Sequence, residues 1–525
     1  MSEMRATVAG PQDGPPAAAA EAAPLREAVL AGAFFGTGHA ASAAAVAAFP
    51  QQDPAAALCA WFGATAALRI AADPDALRGA LDRDIAAIDA LIAAQLDALL
   101  HHPRLRRLEG RWRGLAWVAS GMPRSPRVRL KLLQASWPEI CRDLERAAEF
   151  DQSTLFRLIY EQEFGSPGGE PYGLLVIDHE LRHRPGPGAA TDDVAALTAL
   201  AGVAAAAFAP AVLGAAPALL GADAFADLAG GTDLADPFRG PDYARWRGLA
   251  AREDMRFVGV ALPRLLARLP WGDDPARGDG FRYAEHAPDA GERVWMQAGY
   301  ALAAVAIRAF AENAWPADVR GTDPDRIGAG LVTGLPRENF RTDPDGVATC
   351  PAPEIVFTDR QERALVEAGL IPLAALPFCD EACFGTVRSL QAPARFAGPN
   401  AAAADASARL STHLNAMLCA CRFAHCIKVM GREMVGAFRT ADEIERRLQT
   451  WLAGYVNASI NAGPESRARH PLVAARASVR EKPGRPGVFG CVIQLQPHHQ
   501  LESLAANFRL VTDLTGLAAA SGEMR

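Results

Sequence analysis

The run GLLVID (Gly173–Asp178) is apolar from Leu174 to Ile177 with no alternation before it meets a charge. A strand with one wet face alternates, so an unbroken run belongs to a strand covered on both faces, in a sheet with helices packed on either side. The rest of the chain must supply those helices. Residues 192–208 read as a helix after a Thr191 cap, FVGVAL (Phe257–Leu262) reads as a second strand, and a helix follows at Trp295–Ala311. EIVFTD (Glu354–Asp359) and LIPLAAL (Leu370–Leu376) read as strands flanking a short helix. This alternation puts the middle of the chain in the α/β class, with α+β character towards the C-terminus.

Three divisions follow from patterning. Residues 1–75 are rich in Ala; 1–24 carry almost nothing to bury and read as disordered, and 25–75 as a loose helical extension. Convincing order begins at Ala76, where Leu77, Leu81, Ile85, Ile88, Ile92, Leu96 and Leu99 keep helical spacing, with Asp82, Asp84, Asp89 and Gln95 off the stripe. In RVRLKLL, Val128, Leu130 and Leu132 alternate with Arg127, Arg129 and Lys131, as in a half-exposed strand. Ser136 and Glu139 then form a capping box around Pro138. This core division spans 76–404. From 405 to 525 the pattern changes to two helices, Asp405–Met430 and Asp442–Val456. Three strands follow, Leu472–Arg480, Val488–Gln496 and Leu504–Leu514, the first two joined by a hairpin-like EKPGRPG.

Candidate chemistry is sparse. The net charge of −7 argues against a nucleic-acid partner, no run is long and apolar enough to insert in a membrane, and nine cysteines without an export signal fit a reduced, cytoplasmic protein. The chain lacks a Walker loop, HExxH and GxSxG. Cys419, Cys421 and Cys426 share one helix on diverging faces, so no metal site is expected, and His425 reads as a core histidine bonded to backbone. No cofactor is expected. The loop at Pro167–Pro171 (PGGEP) admits two readings: a backbone nest for an anion, which an α/β enzyme would use, or a stiff connector in which Pro restricts and Gly turns.

The stretch FDQSTLFRLIYEQEFGSPGGEPYG resembles the signature of the large subunit of the type VI secretion contractile sheath, the TssC/VipB family. The likeness continues through YARWRGLAAREDMRFVGVALPRLLARLPWG, GLPRENFRTDPDG, PAPEIVFTDRQERALVEAGLIPL, RFAHCIKVMGREMVGAF and LQPHHQLESLAANFRLVTDL, covering about residues 76–515 in order. It implies a structural protein, not an enzyme, with a sheath core of mixed sheets and flanking helices. Such a subunit pairs with a small sheath subunit (TssB/VipA-like) and polymerises as a helical sheath around inner-tube hexamers on a baseplate. An AAA+ unfoldase recycles the sheath, mainly through the small subunit. Cys426 departs from the family's usual aromatic, which leaves a divergent accessory sheath paralogue as the alternative. Together with the resemblance, the C-terminal pattern nominates inter-subunit strands. Phe489, Cys491, Ile493 and Leu495 share one face, as do Leu504, Phe508, Leu510 and Leu514, with Asn507, Arg509 and Asp513 opposite. The expected sheet has edges open to arms from neighbouring subunits.

Overall fold

The computed structural model describes residues 25–32, 40–230, 233–323, 326–336, 338–339, 349–377, 379, 381–398, 401–435, 440–459, 462–481, 488–498 and 508–515. The expectation of disorder for 1–24, the EKPGRPG turn after Glu481 and Leu504 lie outside these residues. The chain divides into two compact units, Met1–His102 with Pro270–Ala287, and Pro103–Leu269 with Pro288–Arg525.

In the first unit, the stretch expected only as a loose extension forms four short helices, α1 (Leu25–Leu30), α2 (Ala40–Ala48), α3 (Pro54–Phe62) and α4 (Ala64–Ala71). They precede α5 (Pro74–Leu100), opened by an Asp73 cap. The join is a buried carboxylate. Asp84, only 4% exposed, accepts from Arg26 Nε and from Trp61 Nε1, each at 2.8 Å. A buried charge is tolerated when paired and hydrogen-bonded, and here the pairing fixes α1 and α3 on α5. The packed face of α5 therefore carries Ala80 and Asp84, one turn apart. The Leu/Ile stripe points elsewhere: Leu81, Ile85, Ile92 and Leu99 are exposed. At the far end Tyr283 Oη donates to Asp97 (2.7 Å) and His101 meets Glu285 (3.3 Å).

The second unit opens with α6 (Pro103–Gly121) and α7 (Trp137–Arg146), the latter behind the expected Ser136/Glu139 capping box. Its central sheet uses β1 (Leu175–Leu181), β2 (Ala211–Ala215), β3 (Val258–Leu262) and β4 (Ile371–Pro372), all parallel in that order. Between β1 and β2 runs α8 (Asp193–Ala207), capped by Asp192 rather than Thr191. Leu213, Val258 and Val260 join Leu197 and Leu200 of α8 in one core cluster. Val212 and Ala261 face a second cluster with Leu302 and Val305 of α9 (Ala298–Asn313). Helices thus cover both faces, as the α/β class requires.

Several local expectations are corrected. GLLVID belongs to β1, but β1 sits at the sheet edge and is half-buried along most of its length; the fully buried strands are β2 and β3. RVRLKLL forms no strand, because nothing among the described residues pairs with it. EIVFTD is not a strand either: Thr358 caps α10 (Asp359–Glu367), and Gln361 completes its capping box. LIPLAAL splits after Pro372, where Leu373 N–H bonds Leu262 O, so Ala374–Ala375 joins a separate antiparallel sheet. Trp295–Met296 is a short strand before α9. The helix expected over Asp405–Met430 breaks at Thr412, whose carbonyl accepts from Ser389 N and Oγ, leaving Ala401–Ser411 and α11 (Leu414–Val435).

After α12 (Ala441–Ala453) come β5 (Leu472–Glu481), β6 (Val488–Pro497) and β7 (Phe508–Thr515), an antiparallel sheet in that order. No single helix among the described residues is long and apolar enough to cross a membrane.

Candidate assembly interface

Strand β6 buries one face: Phe489 is 7% exposed, and Cys491, Ile493 and Leu495 are 0% exposed. Ala477 and Val479 of β5 join that cluster with Ile444, Leu448 and Leu452 of α12. The register places Phe508 opposite Leu495, Leu510 opposite Ile493 and Leu514 opposite Phe489. Arg509 lies opposite Gln494 in the same register. The sheet's support is aromatic: Trp315 stacks on Phe423 (4.1 Å), and Trp451 and Tyr455 meet Phe423 edge-on.

The two edges of this sheet differ. On the outer side of β5, Ala475 O accepts from Gln449 Nε2 (3.0 Å), Ala477 N donates to Gln449 Oε1 (2.9 Å), and Val479 N donates to Glu445 Oε2 (2.8 Å). The main chain of Leu472 is taken by Tyr455 O and Asn457 N. Side chains of α12 and the segment after it therefore close the β5 edge. Antiparallel ladders alternate inward and outward residues, and this contact sets the phase. With Ala475, Ala477 and Val479 outward, Arg476 and Ser478 bond β6, and Cys491 and Ile493 bond β7 at Thr512 and Leu510. Arg509, Val511, Asp513 and Thr515 then turn their N–H and C=O groups to the outer edge of β7. Nothing described pairs with that edge.

The GSPGGEP loop is bonded to its own chain. It follows a π-helix over Arg157–Gly165. Gly168 adopts φ +80, which a side chain resists, while a Cβ on Gly169 would lie 2.1 Å from Glu163 O. Glu163 Oε2 accepts from Glu170 N (2.8 Å), so a side-chain carboxylate takes the amide an anion would need. A hydrogen bond from Lys131 lowers the Glu163 pKa. From α11, His425, Lys428 and Arg432 face the π-helix at i, i+3 and i+7 spacing. His425 donates Nε2–H to Ala207 O (3.0 Å) and meets the Phe164 ring edge-on; Lys428 donates to Tyr160 Oη (2.9 Å); Arg432 donates to Phe164 O and Ser166 O. Burial pushes the His425 pKa down to about 4.

Among the described residues no His, Cys, Asp and Glu cluster could hold a metal ion. Cys419 and Cys421 are buried, and burial raises both thiol pKa values. A pocket of about 20 Å³ beside Asn415 and His498 has room for one water. Arg264 forks onto Glu180 (2.6 and 2.9 Å) near Glu354, whose pKa burial pushes up to about 7.

Residues 82–391 match the family described as EvpB/VC_A0108, tail sheath N-terminal domain, and residues 403–514 match its tail sheath gpW/gp25-like domain. The chain belongs to the type VI secretion sheath large-subunit family. It is 36% identical over 446 residues to the type VI secretion system sheath protein TssC1 of Pseudomonas aeruginosa, covering 84% of this chain and 86% of that one. The family is structural, and the long second match ends within β7. Sequence reasoning found the buried face of β6; it missed the edge closure by Gln449 and Glu445, for which only their helical i, i+4 spacing was a signal.

Proposed function

We propose that this chain pairs with a small sheath subunit in the cytoplasm, and that the heterodimers polymerise into a helical sheath around inner-tube hexamers. Contraction would drive that tube from a baseplate, with an AAA+ unfoldase recycling the product. The observation that carries this reading is the C-terminal sheet, with one edge closed by α12 and the other, along β7, unpaired among the described residues. An open edge accepts a strand from another chain by main-chain bonds, tolerant of sliding between states yet hard to lose. Phe489, Ile493 and Leu495 would anchor the receiving sheet, with Phe508, Arg509 and Leu510 in the strand that pairs with the arm.

The exposed stripe of α5 supports the small-subunit partnership. Ile85, Ile92 and Leu99 recur every seven residues, with Leu81 four residues before the first and Ile88 between the first two, the seam that a second helix covers in a coiled coil. We assign that second helix to the small subunit. The division at residues 404/405 would separate the core from the region that links neighbours, with 1–75 as an extension ahead of it. Co-expression with the small subunit, followed by electron microscopy, is the test. A tubular polymer supports the reading, and a chain that stays monomeric in its partner's presence removes it.

A further inference from the structure

Residues 129–135 read Arg-Leu-Lys-Leu-Leu-Gln-Ala, and the chain makes neither turn nor bend from 128 to 136. Among the described residues, no main-chain N–H or C=O of 129–135 is hydrogen-bonded to protein. Consecutive main-chain groups left this way need water or a second strand. The side chains say which. Leu130, Leu132 and Leu133 are 44%, 62% and 53% exposed, whereas solvated coil has no reason to carry alternate leucines. The basic row is already engaged: Arg129 pairs with Glu170, and Lys131 pairs with Glu163 and lies over the Tyr172 ring. Those contacts hold the segment against the GSPGGEP loop and leave its leucines uncovered.

We infer that 129–135 is one strand of a shared sheet, completed by a strand of the small sheath subunit; the inference rests on the sheath function proposed above. A second copy of the same segment is a poor occupant for two reasons. Paired antiparallel with itself, it would set Arg127, Arg129 and Lys131 against their own like charges. Self-pairing is also two-fold and closes a dimer, whereas a helical sheath needs contacts that do not close. The complementary strand is apolar at alternate positions, to cover Leu130 and Leu132, and acidic or neutral beside Arg124 and Arg127. Both of those arginines lack an ion pair among the described residues. The RVRLKLL alternation was thus a genuine strand pattern whose partner lies in another chain.

The test is hydrogen exchange on the co-expressed complex, combined with a proline scan. Alternate amides of 129–135 are expected to exchange at least about tenfold more slowly in the heterodimer than in the chain alone. None of these N–H groups is bonded to another described residue, so proline here breaks no described bond of the chain's own fold. Leu132→Pro, Leu133→Pro and Gln134→Pro should then divide with period two. Heterodimer yield falls either at 133 alone or at 132 and 134 together, according to which N–H groups face the added strand. Unprotected amides within a formed heterodimer, or three equal responses, would overturn the inference and leave the sheath reading standing. So would a Leu132→Cys crosslink to a second copy of this chain instead of to the small subunit. Absence of any association by the unsubstituted pair would sink the sheath reading and this inference with it.

Discussion

Arg509→Pro is the sharpest probe of the open β7 edge, because the register separates its effect from that of its neighbour. Leu510 lies opposite Ile493 and bonds inward, while Arg509 presents its N–H outward. Proline at 509 therefore leaves the β6–β7 ladder whole and removes one donor from an incoming strand. Four outward residues, Arg509, Val511, Asp513 and Thr515, allow about four or five bonds at roughly 1 kcal/mol net each. Losing one, and leaving the arm's carbonyl unpaired, costs about 1–3 kcal/mol per joint, which lowers each joint's equilibrium constant roughly 5- to 150-fold. Repeated along a polymer, this shortens sheaths severely while heterodimers persist. Leu510→Pro breaks an internal bond and is expected to destabilise the chain itself. Gel filtration and circular dichroism of the co-expressed pair report the heterodimer and its fold; negative-stain microscopy reports sheath length. Normal-length sheaths from Arg509→Pro, or loss of the heterodimer as complete as with Leu510→Pro, would refute the reasoning.

Three further outcomes are expected. In chemical denaturation Gly168→Ala should cost on the order of 1 kcal/mol, since its φ of +80 is strained but its surroundings are open; Gly169→Ala should cost more, because its Cβ meets the Glu163 backbone. The chain expressed alone should aggregate through the α5 seam, and the double variant Ile85→Lys/Ile92→Lys should stay soluble alone but fail to capture the small subunit in a pull-down. His425 has a folded pKa of about 4, below its unfolded value, so the folded state binds fewer protons. Its contribution is fully present above about pH 6.5 and falls by on the order of 3 kcal/mol towards pH 4; urea melts of His425→Gln should lose that part of the pH dependence.

Local patterns were legible wherever the signal is local. The Ser136/Glu139 box, the β5 and β6 strands and the shared face of Phe489, Ile493 and Leu495 all follow from spacing a few residues long. Strand β2 was missed although AVLGA lies between Pro210 and Pro217, because its Ala-rich composition continues that of α8 and carries little strand propensity. Periodicity gave α5 its stripe but not its direction: the buried face is chosen by Asp84 with Arg26 and Trp61, a contact spanning 58 residues that no window reads. RVRLKLL failed in an instructive way. Alternation reports that a strand has two unlike faces and is silent on whether its partner belongs to the same chain. Edge closure on β5 depends on Glu445 and Gln449 reaching Val479, Ala475 and Ala477, which only the folded geometry supplies.

Strand β7 is the proposed edge that joins subunits, and cryo-electron microscopy of the co-expressed sheath measures this directly. The expected result is a tubular polymer in which a strand from a neighbouring subunit is hydrogen-bonded to Arg509, Val511 and Asp513, with the β5 edge still capped by Gln449 and Glu445. A polymer whose β7 edge faces solvent, or whose subunits are linked through β5 with α12 displaced, would contradict it.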